Sequence, residues 1–169
     1  KDTLALVKTA EQQSSDLSIV DAVVGYNQAR KIAMADRVIA AMGGSVAGAK
    51  IAILGLAFKP ETDDMRDSPS LDIIDALTKA GAVLRAYDPK AMDEARHLLP
   101  PDVTFCDSVA NCLNGTDAAV IVTEWNEFRA LTPAQFAAAM RGRVLVDLRN
   151  VYESDAMQDA GFTYLSIGR

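Results

Sequence analysis

Cysteine is scarce. Cys106 and Cys112 are the only two, too few for a disulfide framework. Neither has a CxxC neighbour or a nearby histidine pair, which argues against a zinc site. Buried, reduced thiols in a cytoplasmic protein are the expectation. Histidine is scarcer still: His97 stands alone, just before Pro100-Pro101 where a helix should end, and receives no catalytic role. No Ser/His/Asp set or carboxylate dyad stands out. No apolar run approaches the ~20 residues of a membrane span. Lys8, Glu11 and Asp16 interrupt the first apolar positions too often for a signal peptide. Positive charge is in deficit, with 17 Lys and Arg against 23 Asp and Glu for a net −6. That speaks against a nucleic-acid partner, which needs a basic face. It leaves room for an anionic small molecule held by a few local cations.

What is present divides in two. The 169 residues, half of them apolar, suit one domain plus an appendage. From Thr3 to Met42 there is no proline and one glycine, Gly25. The polar run Glu11-Gln12-Gln13-Ser14-Ser15-Asp16 separates a short helix from a long one, and Ser15 or Asp16 suits the N-cap of the second. Ile19, Val20, Val23, Val24, Tyr26, Ile32, Met34, Val38 and Ile39 spread over more than one stripe of that helix. A helix apolar on several faces packs between units, so it reads as a connector set against another domain or subunit; an ordinary core helix is the alternative.

Gly43-Gly44-Ser45 ends the helix. Beyond it, short apolar strands (51–54, 83–87, 103–105, 118–122, 144–146, 163–165) alternate with helices (71–80, 92–99, 108–113, 133–140, 155–160). Such alternation implies right-handed crossovers and a parallel sheet. The predicted fold is α/β: a Rossmann-like doubly wound parallel sheet preceded by a long connector or dimerisation helix. Its strand order is 3-2-1-4-5-6, with a five-stranded flavodoxin-like order as the alternative.

Ligands of such sheets bind beyond the carboxyl ends of the strands, near the switch in strand order. A dinucleotide fingerprint, GxGxxG running tightly into a helix, is missing there. The first loop has one glycine, Gly55, and a long stretch before the next helix. It offers Phe58, Lys59 and Arg66 instead. Lysine suits a phosphate as a point charge and arginine as a planar fork. With Arg149 after the fifth strand they form a candidate anion site, weighed evenly against solvated loop charges. Asp88 precedes Pro89, which favours a turn role. Trp125 could stack on a base, but packing is the commoner role.

The stretch Gly55-Leu56-Ala57-Phe58-Lys59-Pro60 followed by Thr62-Asp63-Asp64-Met65-Arg66-Asp67-Ser68-Pro69 resembles the signature of nucleotide-sugar 6-dehydrogenases. So do Ala86-Tyr87-Asp88-Pro89, Thr123-Glu124-Trp125-Asn126-Glu127-Phe128 and Asp147-Leu148-Arg149-Asn150. The motifs follow the family's order along the whole chain. The Thr-Glu-Trp and Asp-Leu-Arg-Asn runs and Gly161-Phe162-Thr163-Tyr164 look most like the bacterial UDP-glucose dehydrogenases. GDP-mannose and UDP-N-acetylhexosamine relatives are the alternatives, and a non-catalytic nucleotide-sugar-binding module is another.

The resemblance implies an enzyme that oxidises UDP-glucose to UDP-glucuronate with NAD, by two hydride transfers through a cysteine-linked intermediate. It implies that NAD is held mainly by an N-terminal domain. It also implies that residues 1–45 form a central helical connector and homodimer contact, and that residues 46–169 bind the UDP-sugar. Lys1-Asp2-Thr3 looks like the tail of the family's Cys-x-Pro-Lys-Asp motif, with the nucleophile upstream of Lys1; the chain is therefore read as a C-terminal portion, inactive alone. By position, Asp2 resembles the active-site aspartate, Phe58, Lys59 and Arg149 the UDP-sugar contacts, and Lys1 and Arg66 the cofactor contacts.

Overall fold

The structure, a computed structural model, describes residues 2–13 and 15–168. In chain order its elements are α1 (Asp2–Gln12), α2 (Ser18–Ala41), β1 (Lys50–Leu54), α3 (Pro69–Lys79), β2 (Val83–Tyr87), α4 (Met92–Leu98) and β3 (Thr104–Phe105). They continue with α5 (Val109–Leu113), β4 (Ala118–Ile121), α6 (Asn126–Arg129), α7 (Pro133–Ala139), β5 (Val144–Asp147), α8 (Ser154–Asp159) and β6 (Thr163–Ser166). The strands form one sheet in the order β3-β2-β1-β4-β5-β6, with every pairing parallel. The six-stranded order therefore holds, and the flavodoxin-like alternative does not.

Local chemistry explains the element ends. Ser68 caps α3, its side chain accepting from the Ser70 N–H, and Pro69 follows in the first turn, where a missing N–H costs nothing. Thr132 and Gln135 close a capping box at α7. The cap of α2 differs from expectation. Leu17 occupies the cap position without a side-chain bond, and Asp16 Oδ1 accepts from the Ser18 N–H at 2.9 Å, as a short carboxylate does from the backbone two residues on. Helix α6 has no counterpart in the sequence reading, because four residues are too few to show a period.

The long helix has two unlike faces. Its last turns belong to this domain: Ala35 and Val38 are buried, and Arg37 donates to the Ser166 carbonyl at 2.9 Å. Gln28 and Lys31 reach Asp72 of α3 at 3.1 and 3.6 Å. Its first turns do not: Ile19 and Tyr26 are 80% and 66% exposed. Among the described residues no helix is long and apolar enough to cross a membrane.

The sheet's central crossing depends on one glycine. Gly55 leaves β1 with φ +92°, and a Cβ built there would lie 2.5 Å from Thr123 Cβ and 2.6 Å from Thr123 N. The loops after β1 and β4 can touch only because no side chain stands between them. Gly55→Ala combines left-handed strain with this clash. We expect it to lower stability by about 3 kcal/mol, seen in urea unfolding as a lower midpoint at unchanged slope.

Candidate functional site

The loops at the carboxyl edge of the sheet are tied down by two buried carboxylates. Asp88, just after β2, is 1% exposed. Its Oδ2 accepts from Leu56 N at 2.7 Å, Ala57 N at 3.0 Å and Trp125 Nε1 at 3.0 Å. Its Oδ1 accepts from Lys90 N and Ala91 N, both at 2.9 Å. The expected turn role is therefore one of two, and the other fastens the loop that leads into Phe58 and Lys59. Trp125 is buried, which matches its packing role, with its N–H satisfied by Asp88.

Asp147 closes β5 and is fully buried. Its Oδ1 accepts from Arg149 N at 2.9 Å, and its Oδ2 from Val151 N at 2.6 Å, Tyr152 N at 3.0 Å and the Tyr164 hydroxyl at 2.8 Å. Charge-assisted bonds of this kind are about twice as strong as neutral ones. The two carboxylates thus fix the segments that carry Phe58 and Arg149.

Between those segments lies a cavity of about 450 Å³, within the range of small-molecule sites. Phe58, Val122, Leu148, Arg149 and Ile167 form its floor, and Asn27, Gln28, Lys31 and Met34 of α2 form a wall. The floor sits where strand order reverses between β1 and β4, as expected for a doubly wound sheet. Phe58 is 47% exposed. Arg149 donates through Nε to the Val122 carbonyl at 2.7 Å and through Nη2 to the Phe58 carbonyl at 3.3 Å. An arginine has five N–H groups, so three remain for a ligand.

The candidate residues are therefore only partly gathered. Phe58 and Arg149 meet at the cavity, and Lys59 is exposed on the adjoining loop outside its lining. Arg66 lies apart, in a groove with Asp63, Asp64, Met65, Glu94 and Leu98. There Asp64 takes its Nε and Nη2 at 2.8 and 2.7 Å, so the three cations expected to converge do not. Asp2 opens α1; Lys1 and the Asp2 side chain lie outside the described residues. Sequence reasoning missed the α2 wall. Val24, Asn27, Gln28, Lys31 and Met34 recur three or four apart, but periodicity alone does not say which stripe of a helix faces its own domain.

Neither cysteine belongs to this site. Cys106 and Cys112 are buried and outside the cavity lining, with Cys112 Sγ against the Ile53 carbonyl. Contact with Cys112, helped by Arg85, lowers the Cys106 thiol to about 7, and the same contact with burial raises Cys112. No group of three or more metal-ligating side chains occurs among the described residues. A dinucleotide does not fit the β1 loop either. Thr123 fills the space at Gly55, and Asp88, placed where a ribose acceptor would stand, has both oxygens engaged.

Comparison with known proteins agrees with this geometry. The family model for the UDP-glucose/GDP-mannose dehydrogenase family, UDP binding domain, matches residues 52–154. A UDP-glucose 6-dehydrogenase of Rhizobium meliloti (strain 1021) is 48% identical over the whole chain, which spans 38% of that relative's length. Solved structures of related enzymes are similar as well. A UDP-glucose dehydrogenase from the archaeon Pyrobaculum islandicum has a TM-score of 0.77 at 29% identity, over 97% of this chain and 35% of its own. An NDP-N-acetyl-D-galactosaminuronic acid dehydrogenase from Methanosarcina mazei Go1 has a TM-score of 0.86 at 28% identity, over 100% of this chain and 37% of its own.

Asp88→Asn would turn an amide N–H₂ toward N–H donors. We expect a loss of about 2–4 kcal/mol of stability. In hydrogen exchange, the Leu56 and Ala57 amides should lose protection by about 10-fold or more, beyond the change at β5 amides.

Proposed function

This chain belongs to the UDP-glucose/GDP-mannose dehydrogenase family, and on that premise we propose that it is the UDP-sugar-binding portion of an NAD-dependent UDP-glucose 6-dehydrogenase. The observation that carries the reading is the meeting of Phe58 and Arg149 over one cavity at the switch point. A half-exposed aromatic ring offers a face to a flat base. The free N–H groups of Arg149, with Lys59 nearby, offer donors to phosphate or base oxygens. The identity to a UDP-glucose 6-dehydrogenase over the whole chain supports glucose as the sugar. The fit to the N-acetylgalactosaminuronate enzyme keeps a second reading, another nucleotide sugar on the same floor.

In this reading residues 46–169 hold the UDP-sugar, and residues 1–45 connect and dimerise. NAD is bound mainly by an N-terminal domain of the enzyme, and Arg66 and Lys1 are this chain's contacts to it. Asp2 serves the reacting end of the sugar. The nucleophile is not one of this chain's cysteines, since both lie buried away from the cavity.

Calorimetry with UDP tests the binding half. Arg149→Ala should weaken binding about 10–100-fold, as loss of charge-assisted bonds does, and Lys59→Ala about 3–10-fold. UDP-glucose should compete better than GDP-mannose or UDP-N-acetylglucosamine. The chain by itself should not reduce NAD with UDP-glucose; turnover would refute the assignment of the nucleophile.

Sedimentation equilibrium tests the helical half. A dimer at micromolar concentration that dissociates in Val23→Glu, with the thermal midpoint of the monomer unchanged, is the expected result. A wild-type monomer would remove the dimer assignment.

A further inference from the structure

We propose that Glu124 is a positioning residue for Arg149. Glu124 directly follows Thr123, whose hydroxyl donates to the Ala57 carbonyl at 2.6 Å. It directly precedes Trp125, whose Nε1–H goes to Asp88. With both neighbours buried and bonded, the backbone of Glu124 is held beside the start of the loop after β4. There Oε2 lies 3.2 Å from Arg149 Nε.

The contact is one of charges rather than a hydrogen bond. The Arg149 Nε–H points to the Val122 carbonyl at 2.7 Å, and Glu124 Oε2 is buried with no hydrogen-bond partner. A buried carboxylate oxygen without a donor is costly, and the arginine facing it is the compensation. From the guanidinium's side, Val122 and Phe58 supply carbonyls and Glu124 supplies an ion pair. These oxygens hold the Nε edge against the strand ends. Arg149 lines the cavity and Glu124 does not, so the ion pair bears on the arginine from outside the lining.

The nucleotide arm of the test rests on the reading above; the other arm does not. Glu124→Gln keeps the size and removes the charge. In the ¹⁵N spectrum, hydrogen exchange at Arg149 Nε–H should accelerate about 10-fold as the fork loosens. The Kd for UDP should rise about 5–10-fold, and this rise should vanish in an Arg149→Ala background, as coupling through one side chain requires. Glu124→Asp, which keeps the charge, should recover part of both effects. Unchanged Nε–H exchange in Glu124→Gln would overturn the proposal, as would a rise in Kd that persists in Arg149→Ala. Failure of the unaltered protein to bind UDP would refute the nucleotide reading, and the Nε–H exchange would then decide the role of Glu124 alone.

Discussion

The carboxylate of Asp88 joins three loops at the carboxyl edge of the sheet. Five donors converge on it, from the loop after β1, the turn after β2 and the indole after β4. Each donor is a group that would be costly to bury unpaired. Remove the acceptor, and Leu56, Ala57 and Trp125 must find new partners in a place water does not reach. The site's floor rests on this arrangement, because Phe58 follows Ala57 directly. Gly55 makes it sterically feasible by letting Thr123 come within reach, and Thr123 answers with its own bond to the Ala57 carbonyl.

The same arrangement explains how a Rossmann-like sheet can lack a dinucleotide site. In a cofactor-binding sheet the first loop is left open, so that its N–H groups face a pyrophosphate and the acidic residue after the second strand faces a ribose. Here those N–H groups and that acid are turned on each other. The capacity for an anion moves outward, to side chains beyond the closed loop. Arg149 is held there by Asp147 through its backbone and by Val122 and Phe58 through its fork. A long loop with side-chain cations in place of glycines is the visible trace of that exchange.

Much of this was legible in the sequence. Runs such as 51–54 and 118–121 are apolar at every position, and the structure buries each of those positions, as a sheet covered on both faces requires. Glycine and proline marked the element ends because their effects are local. Phe58 and Arg149 could be singled out because both lie in loops that leave the carboxyl ends of β1 and β5. What could not be read was whatever depends on a partner far along the chain. Asp88 gave away its turn, made two and three residues on, but not its bonds 31 to 37 residues away. The pairing of Arg66 with Asp64 was hidden for the opposite reason. It is set by the exact path of one loop, with Asp67 in the left-handed region at φ 60°, and no pattern encodes that path.

The long helix shows where the two kinds of information meet. Its composition suggests a connector, with an ordinary core helix as the alternative, and the structure shows surroundings that differ along its length. The last turns, from Ala35 onward, are anchored by burial and by Arg37 on Ser166. In the first turns Ile19, Val23 and Tyr26 are exposed to solvent. The wall of the cavity, Asn27 to Met34, lies between them. It is tied to the domain by Gln28 and Lys31 on Asp72, both side-chain contacts that contribute little at a partly exposed site. Covering the exposed stripe would therefore act on the cavity within one or two helical turns. It would bear on the wall that Asn27 to Met34 contribute to the cavity, without touching the floor that Asp88 and Asp147 hold.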